Sequence, residues 1–319
     1  LWESPMSGIQ RILVQLSPED DNASLMARTG RLAKLCGASV ELFCSVYSRA
    51  LHRDYLFDKQ AELHAEHGYV KGIEAKLEAL SAQLEAQQIK VGLDVYWEPH
   101  LVEGVMRKIQ RFEPDLVIAS MTHHNLVTEL FSLDAERTLI RECPAPLLLA
   151  RKQGWPDQVG LAASIDPFHP CPEPVALDNA VLDVAQQMAL ILGNPMRVVH
   201  SFHALPHSAI FDEHVVTDYE ALQSKVLQEH RDRIDTVLEP YGLGIGSPEV
   251  SILEGEAHKV LPDYAQRIPV SLLVVGHVAK GMLERILSGS TVERMLGSLP
   301  CDLLVVKPPG FVCPTDYEE

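Results

Sequence analysis

Two stretches decide the fold: FEPDLVIAS, residues 112–120, and IPVSLLVVG, residues 268–276. They lie 156 residues apart, and each runs from a proline through a short apolar segment to a small residue. The same offset pairs ECPAPLLLARK with SLPCDLLVVKP, placing Leu147 over Leu303 and Arg151 over Lys307. It also pairs VELFCSVY with MRVVHSFH, placing Cys44 over His200 and Ser45 over Ser201. At an offset of 149, ILVQLSP lies over LAASIDP and Ser17 over Asp166. A fixed period of this kind means one unit of structure used twice.

Each copy reads strand, helix, strand, long helix, strand, helix, strand, helix, strand. The first-copy strands are Ile12–Leu16, Val40–Val46, Leu116–Ala119 and Leu147–Ala150, all short apolar runs. Runs of this type, bounded by turn residues and separated by helical patterns, belong to parallel strands buried on both faces. Between them Ile73, Leu77, Leu80 and Leu84 form a helical stripe, as do Leu227, Ile234 and Leu238 in the second copy. Strictly alternating strands and helices give a doubly wound α/β domain, here two in tandem, each with a five-stranded parallel sheet. The expected boundaries are residues 8–152 and 159–308. A Gly- and Pro-bearing linker, QGWPDQ, covers 153–158, and an acidic, mobile tail covers 309–319.

The 319 residues are 46% apolar and 22% charged, and carry a net charge of −17. This acidity argues against nucleic-acid and anionic-membrane partners, which need Lys/Arg patches. No apolar run reaches the length of a membrane helix, and LWESPMSGIQR lacks a signal-peptide core. Six cysteines without a CxxC pair read as reduced thiols of a cytoplasmic protein.

Open parallel sheets bind ligands at the carboxyl ends of their strands. In the second copy that edge reads G-x2-A-x9-G-S: Gly276, Ala279, Gly289 and Ser290, followed by Thr291. Gly276 permits a sharp turn of the chain and a close approach of ligand to backbone. Gly289 and Ser290 open a helix whose free N–H groups attract an anion, and Ser290 and Thr291 add hydroxyls. Asp166, ending the first strand of this copy, offers a carboxylate to a ribose or base. A purely structural role competes: Ser290 and Glu293 form an S-x-x-E capping box. The first copy separates the two readings. It has Ser17, Ser120, His123, Leu133 and Asp134 at the matching positions, so the fold persists there without any anion-friendly residue.

These residues resemble the universal stress protein family, in its tandem-domain form, from about Ile12 to Lys307. The family motif is G-x2-G-x9-G-[S/T]; Gly276, Gly289 and Ser290 match it, and Ala279 departs from it. The resemblance implies an adenine nucleotide site in the second copy alone. Asp166 would contact the nucleoside, Ile165 the adenine side, and the Ser201 backbone the adenine edge. Gly276, Gly289, Ser290 and Thr291 would contact phosphate and ribose. Alanine adds a methyl and disfavours positive φ, so Ala279 bears on triphosphate binding and leaves ATP, ADP and AMP all open. The resemblance also implies that last strands pair edge to edge, here Leu147–Ala150 with Leu303–Val306, making an intrachain pseudo-dimer. The function expected is a cytoplasmic stress-response protein regulated by nucleotide. The alternatives are a nucleotide-independent scaffold and a slow metal-dependent ATP hydrolase.

Other constellations carry less. His200, His203, His207, His214, His169 and Cys171 crowd one rim, but match no zinc module and read as surface residues. No metal and no catalytic residue is assigned. No G-x-S-x-G elbow and no Walker motif occurs, and Lys280 and Arg285 read as solvated helix charges.

Overall fold

The structure, a computed structural model, describes residues 8–18, 20–54, 58–121, 129–168, 174–202, 219–278 and 291–317. The first repeat runs β1 (Arg11–Gln15), α1 (Ala23–Cys36), β2 (Ser39–Val46), α2 (Arg49–Asp54), α3 (Lys59–Glu85), β3 (Val91–Trp97), α4 (Leu101–Phe112), β4 (Leu116–Ser120), α5 (Glu129–Glu142) and β5 (Leu147–Ala150). The second runs β6 (Leu161–Ile165), α6 (Pro174–Leu192), β7 (Met196–Phe202), α7 (Tyr219–Leu238), β8 (Val250–Glu254), α8 (Ala257–Arg267), β9 (Leu272–Gly276), α9 (Thr291–Met295) and β10 (Asp302–Val306). The doubly wound α/β reading therefore holds, with α2 as an added short helix.

The chain forms two compact units. The first gathers the chain up to Asp157 together with Asp302–Val305 and the segment from Gly310; the second gathers Gln158–Cys301 and Val306–Pro309. In the first, the parallel strands stand in the order β3-β2-β1-β4-β5. Their apolar runs are buried because helices cover both faces. Ile12, Leu13, Val14, Leu116, Val117, Ile118, Leu147, Leu148 and Leu149 are each at most 1% exposed. Beside β5 lies β10, antiparallel, with Leu303 opposite Leu149 and Val305 opposite Leu147. An all-apolar edge strand is thus paired rather than left open. The α3 stripe buries Ile73, Leu77 and Leu84, with Ser81 beside them. Asp58 caps this helix by accepting from the Gln60 and Ala61 amides.

A fully buried ion pair lies inside this unit. Arg28 Nε sits 2.6 Å from Asp302 Oδ2, and each side chain is 2% exposed. Asp302 Oδ1 also accepts from the Arg151 amide at 2.7 Å, and Arg28 further donates to the Ser24 and Gln153 carbonyls. Burial raises the Asp302 carboxyl above the usual range, and Arg28 opposes that rise. The C-terminal segment corrects the expectation of a mobile tail. Arg107 Nε donates to the Tyr317 carbonyl at 3.0 Å, Tyr317 OH donates to Glu142 at 2.8 Å, and Tyr317 is buried.

In the second unit the parallel order is β9-β6-β7-β8. The helix α6 contains a window, Val175–Leu192, long and apolar enough to cross a membrane by composition. Its buried face, Leu177, Val181, Leu182, Ala185 and Met188, accounts for that character as core packing. The five described cysteines, Cys36, Cys44, Cys143, Cys301 and Cys313, stand as thiols.

Candidate functional site

The chain leaves β6 toward β7 and β8 on one side, and β9 lies on the other side of β6. The carboxyl ends of β6 and β9 therefore form the topological switch point of the second unit, where open sheets leave a crevice. Ser164 stands opposite Val275, and Ile165 opposite His200. This register brings four of the sequence-derived residues to one edge. Ile165 is buried, Asp166 is exposed just beyond it, Ser201 is half-buried on β7, and Gly276 closes β9. Thr291 is exposed at the start of α9. Ala279, Gly289 and Ser290 lie outside the described residues, as do Lys280 and Arg285.

The Asp166 carboxylate projects from a fixed backbone. Its amide donates to Asp178 Oδ1 at 2.9 Å, and its own Oδ1 accepts from the Phe168 amide at 3.2 Å. Phe168 is stacked on His230 with centroids 3.9 Å apart, and the Arg233 guanidinium lies 4.5 Å from the Phe168 centroid. The loop after β6 is thus pinned onto α7. Below Pro167, between α6 and α7, runs a groove of about 440 Å³ lined by Val175, Asn179, Arg233 and Val237.

Gly276 is needed for a different reason from the expected sharp turn. Its backbone is not left-handed; instead, a Cβ there would fall 2.8 Å from the Leu177 side chain of α6. Close packing of helix on strand thus accounts for this glycine without a ligand.

One histidine corrects the surface reading, and its partner His230 was not singled out in the sequence. His200 is 1% exposed. Its Nδ1 lies 3.0 Å from the Ile165 carbonyl, and its Nε2 lies 2.9 Å from His230 Nδ1. A carbonyl only accepts, so Nδ1 of His200 carries the proton. Burial holds both imidazoles below the usual histidine range, and at His230 the neighbouring ring of His200 lowers it further. His169, Cys171, His203, His207 and His214 lie outside the described residues, so the metal question there does too.

Sequence reasoning missed Asp178. It is 3% exposed, and burial pushes its carboxyl up to about 7; the hydrogen bond from Asp166 opposes this and the Asp166 charge adds to it. Its signal was an aspartate interrupting the apolar run PVALDNAVL. In the first unit, Cys44 replaces His200, is fully buried, and has its thiol pushed up to about 12 by burial. Ser17 follows β1 by two residues and Ser120 ends β4 there; His123 and the side chains of Leu133 and Asp134 lie outside the described residues.

Comparison with known proteins agrees with this architecture. The sequence profile of the universal stress protein family matches residues 175–307. Universal stress protein E of Photorhabdus laumondii is 23% identical over 323 aligned residues, covering 97% of this chain and 98% of its own. A functionally unknown protein of Pseudomonas aeruginosa superposes with a TM-score of 0.72 at 22% identity, over 96% of this chain and 95% of its own. A universal stress protein of Archaeoglobus fulgidus superposes with a TM-score of 0.65 at 12% identity, over 93% and 96%. The repeated sequence, the shared doubly wound pattern and the near-full-length likeness to universal stress protein E together make this chain similar to the tandem universal stress proteins.

Proposed function

We propose that the chain is a cytoplasmic stress-response protein that binds an adenine nucleotide at the carboxyl edge of its second unit, as a regulatory ligand. The observation that carries the reading is the convergence of Ile165, Asp166, Ser201 and Gly276 at one switch point. Asp166 offers an exposed carboxylate on a fixed backbone, suited to ribose hydroxyls. In sequence, Gly289, Ser290 and Thr291 belong to the same motif as Ala279 and offer amides and hydroxyls for phosphate. Ser17 in place of Asp166 and Leu133 in place of Gly289 leave the first unit without this set. A nucleotide acts on such a protein by binding one conformation more tightly than another.

The test is to purify the chain natively, denature it, identify released small molecules by mass spectrometry, and titrate ATP, ADP and AMP. Binding lost in Gly289→Val and kept in Leu133→Ala is expected. Absence of binding at millimolar nucleotide overturns the reading.

A further inference from the structure

One peptide group in the second unit is held from both sides by ionisable side chains. Its carbonyl belongs to Ile165 and accepts from His200 Nδ1 at 3.0 Å; its N–H belongs to Asp166 and donates to Asp178 Oδ1 at 2.9 Å. The two side chains are 1% and 3% exposed and come from β7 and α6. We propose that His200 and Asp178 are positioning residues that fix the Ile165–Asp166 peptide, and with it the Asp166 carboxylate, and that a proton taken up by Asp178 loosens the grip. The proposal rests on the reading that Asp166 faces a nucleoside.

The carboxyl has a place for that proton. Oδ1 is occupied by the Asp166 amide, whereas Oδ2 is buried without a partner among the described residues. Burial, with the Asp166 charge adding to it, pushes the group up to about 7. An ionised carboxylate accepts an amide proton about twice as strongly as a neutral acceptor does. The clamp is therefore firm above about pH 7 and slack below it.

The surrounding charges leave Asp178 as the titrating member of the clamp. Asp166 ends β6 and raises it. His200 from β7 is held below the usual range by burial, and its Nδ1 carries the proton that the Ile165 carbonyl accepts. From α7, His230 is lowered by burial and by His200, with Glu229 and Arg233 acting in opposite senses. Beyond β9, His277 Nδ1 lies 2.9 Å from Lys307 Nζ. A one-proton change at neutrality thus falls on a side chain bonded directly to Asp166.

Isotope-labelled full-length protein allows the Asp166 amide signal to be followed by NMR from about pH 5.5 to about pH 8.5. In the wild type it moves through one transition near pH 7. In Asp178→Asn, which keeps an oxygen acceptor and loses the titration, it stays flat. Adenosine, uncharged over this range, is the ligand probe. Its affinity falls about threefold or more between about pH 8 and about pH 6 in the wild type, and is constant in Asp178→Asn. A flat wild-type amide, an Asp178→Asn amide that titrates as before, or a pH-independent adenosine affinity overturns the proposal; the wild-type measurements need no variant to fold. An amide that titrates only in the wild type, without any adenosine binding, supports the clamp and removes the nucleotide reading instead.

Discussion

Replacing Arg28 by methionine tests whether the buried charge pair organises the first unit. The perturbation leaves the Asp302 carboxylate 2% exposed, with the Arg151 amide and the Trp155 side chain still beside it as donors. With Nε and Oδ2 2.6 Å apart, the gross attraction at an effective dielectric near 20 is about 6 kcal/mol. The arginine recovers part of that as hydration it gave up on folding. Removing one partner of such a pair costs about 3–5 kcal/mol. Against a domain stability of about 5–15 kcal/mol this is a large fraction. Urea unfolding measures the loss, and hydrogen exchange at the Arg151 amide localises it.

The pH dependence gives an internal check. Without Arg28 the folded-state pKa of Asp302, already raised by burial, rises further above the unfolded value. The folded variant then binds a proton that its unfolded state lacks, so its deficit shrinks as pH falls toward about 4, by at most about 1.4 kcal/mol per unit. Adding Asp302→Leu to Arg28→Met restores most of the loss, because no buried charge remains. A single-variant loss below about 1 kcal/mol, or a double variant no better than the single, refutes this account.

Gly276→Ala sets a methyl against Leu177 and is expected to destabilise the second unit by about 1–3 kcal/mol. Leu177→Ala in the same chain relieves that clash, as a shift in unfolding midpoint will show. Tyr317→Phe removes the hydroxyl that donates to Glu142, costs about 1 kcal/mol, and speeds limited proteolysis of the C-terminal segment. Unchanged proteolysis would mean that the ring alone holds the segment.

Much of the fold was legible because parallel strands must be buried on both faces and so read as apolar runs. LVIA and LLVV, at one spacing from their flanking turns, gave both the strands and the repeat. The pairing of β5 with β10 was implied by the family resemblance, and the apolar character of LLLA and DLLVV agrees with a paired edge. The site was legible only as far as residues act alone. Asp166 ends a strand, and that is visible in one dimension. His200 and Asp178 act through contacts to a peptide on another element; the aspartate inside the apolar run PVALDNAVL marks burial but not its partner. Gly276 looked like a turn glycine because its constraint, Leu177, lies about a hundred residues upstream. The tail looked loose because its acidic composition hides the anchoring by Arg107 and Glu142.

The strand that finishes the first unit's sheet is Asp302–Val305, which belongs in sequence to the second repeat. On a ribosome, β5 emerges roughly 10–30 s before its partner, at ordinary rates of synthesis. For that interval Leu147–Leu149 offers bare backbone amides and carbonyls, and Arg28 waits without its carboxylate. Completion of the first unit is thereby tied to synthesis of the second repeat as far as β10, so a copy terminated before Asp302 exposes a sticky edge that chaperones and proteases can read as unfinished.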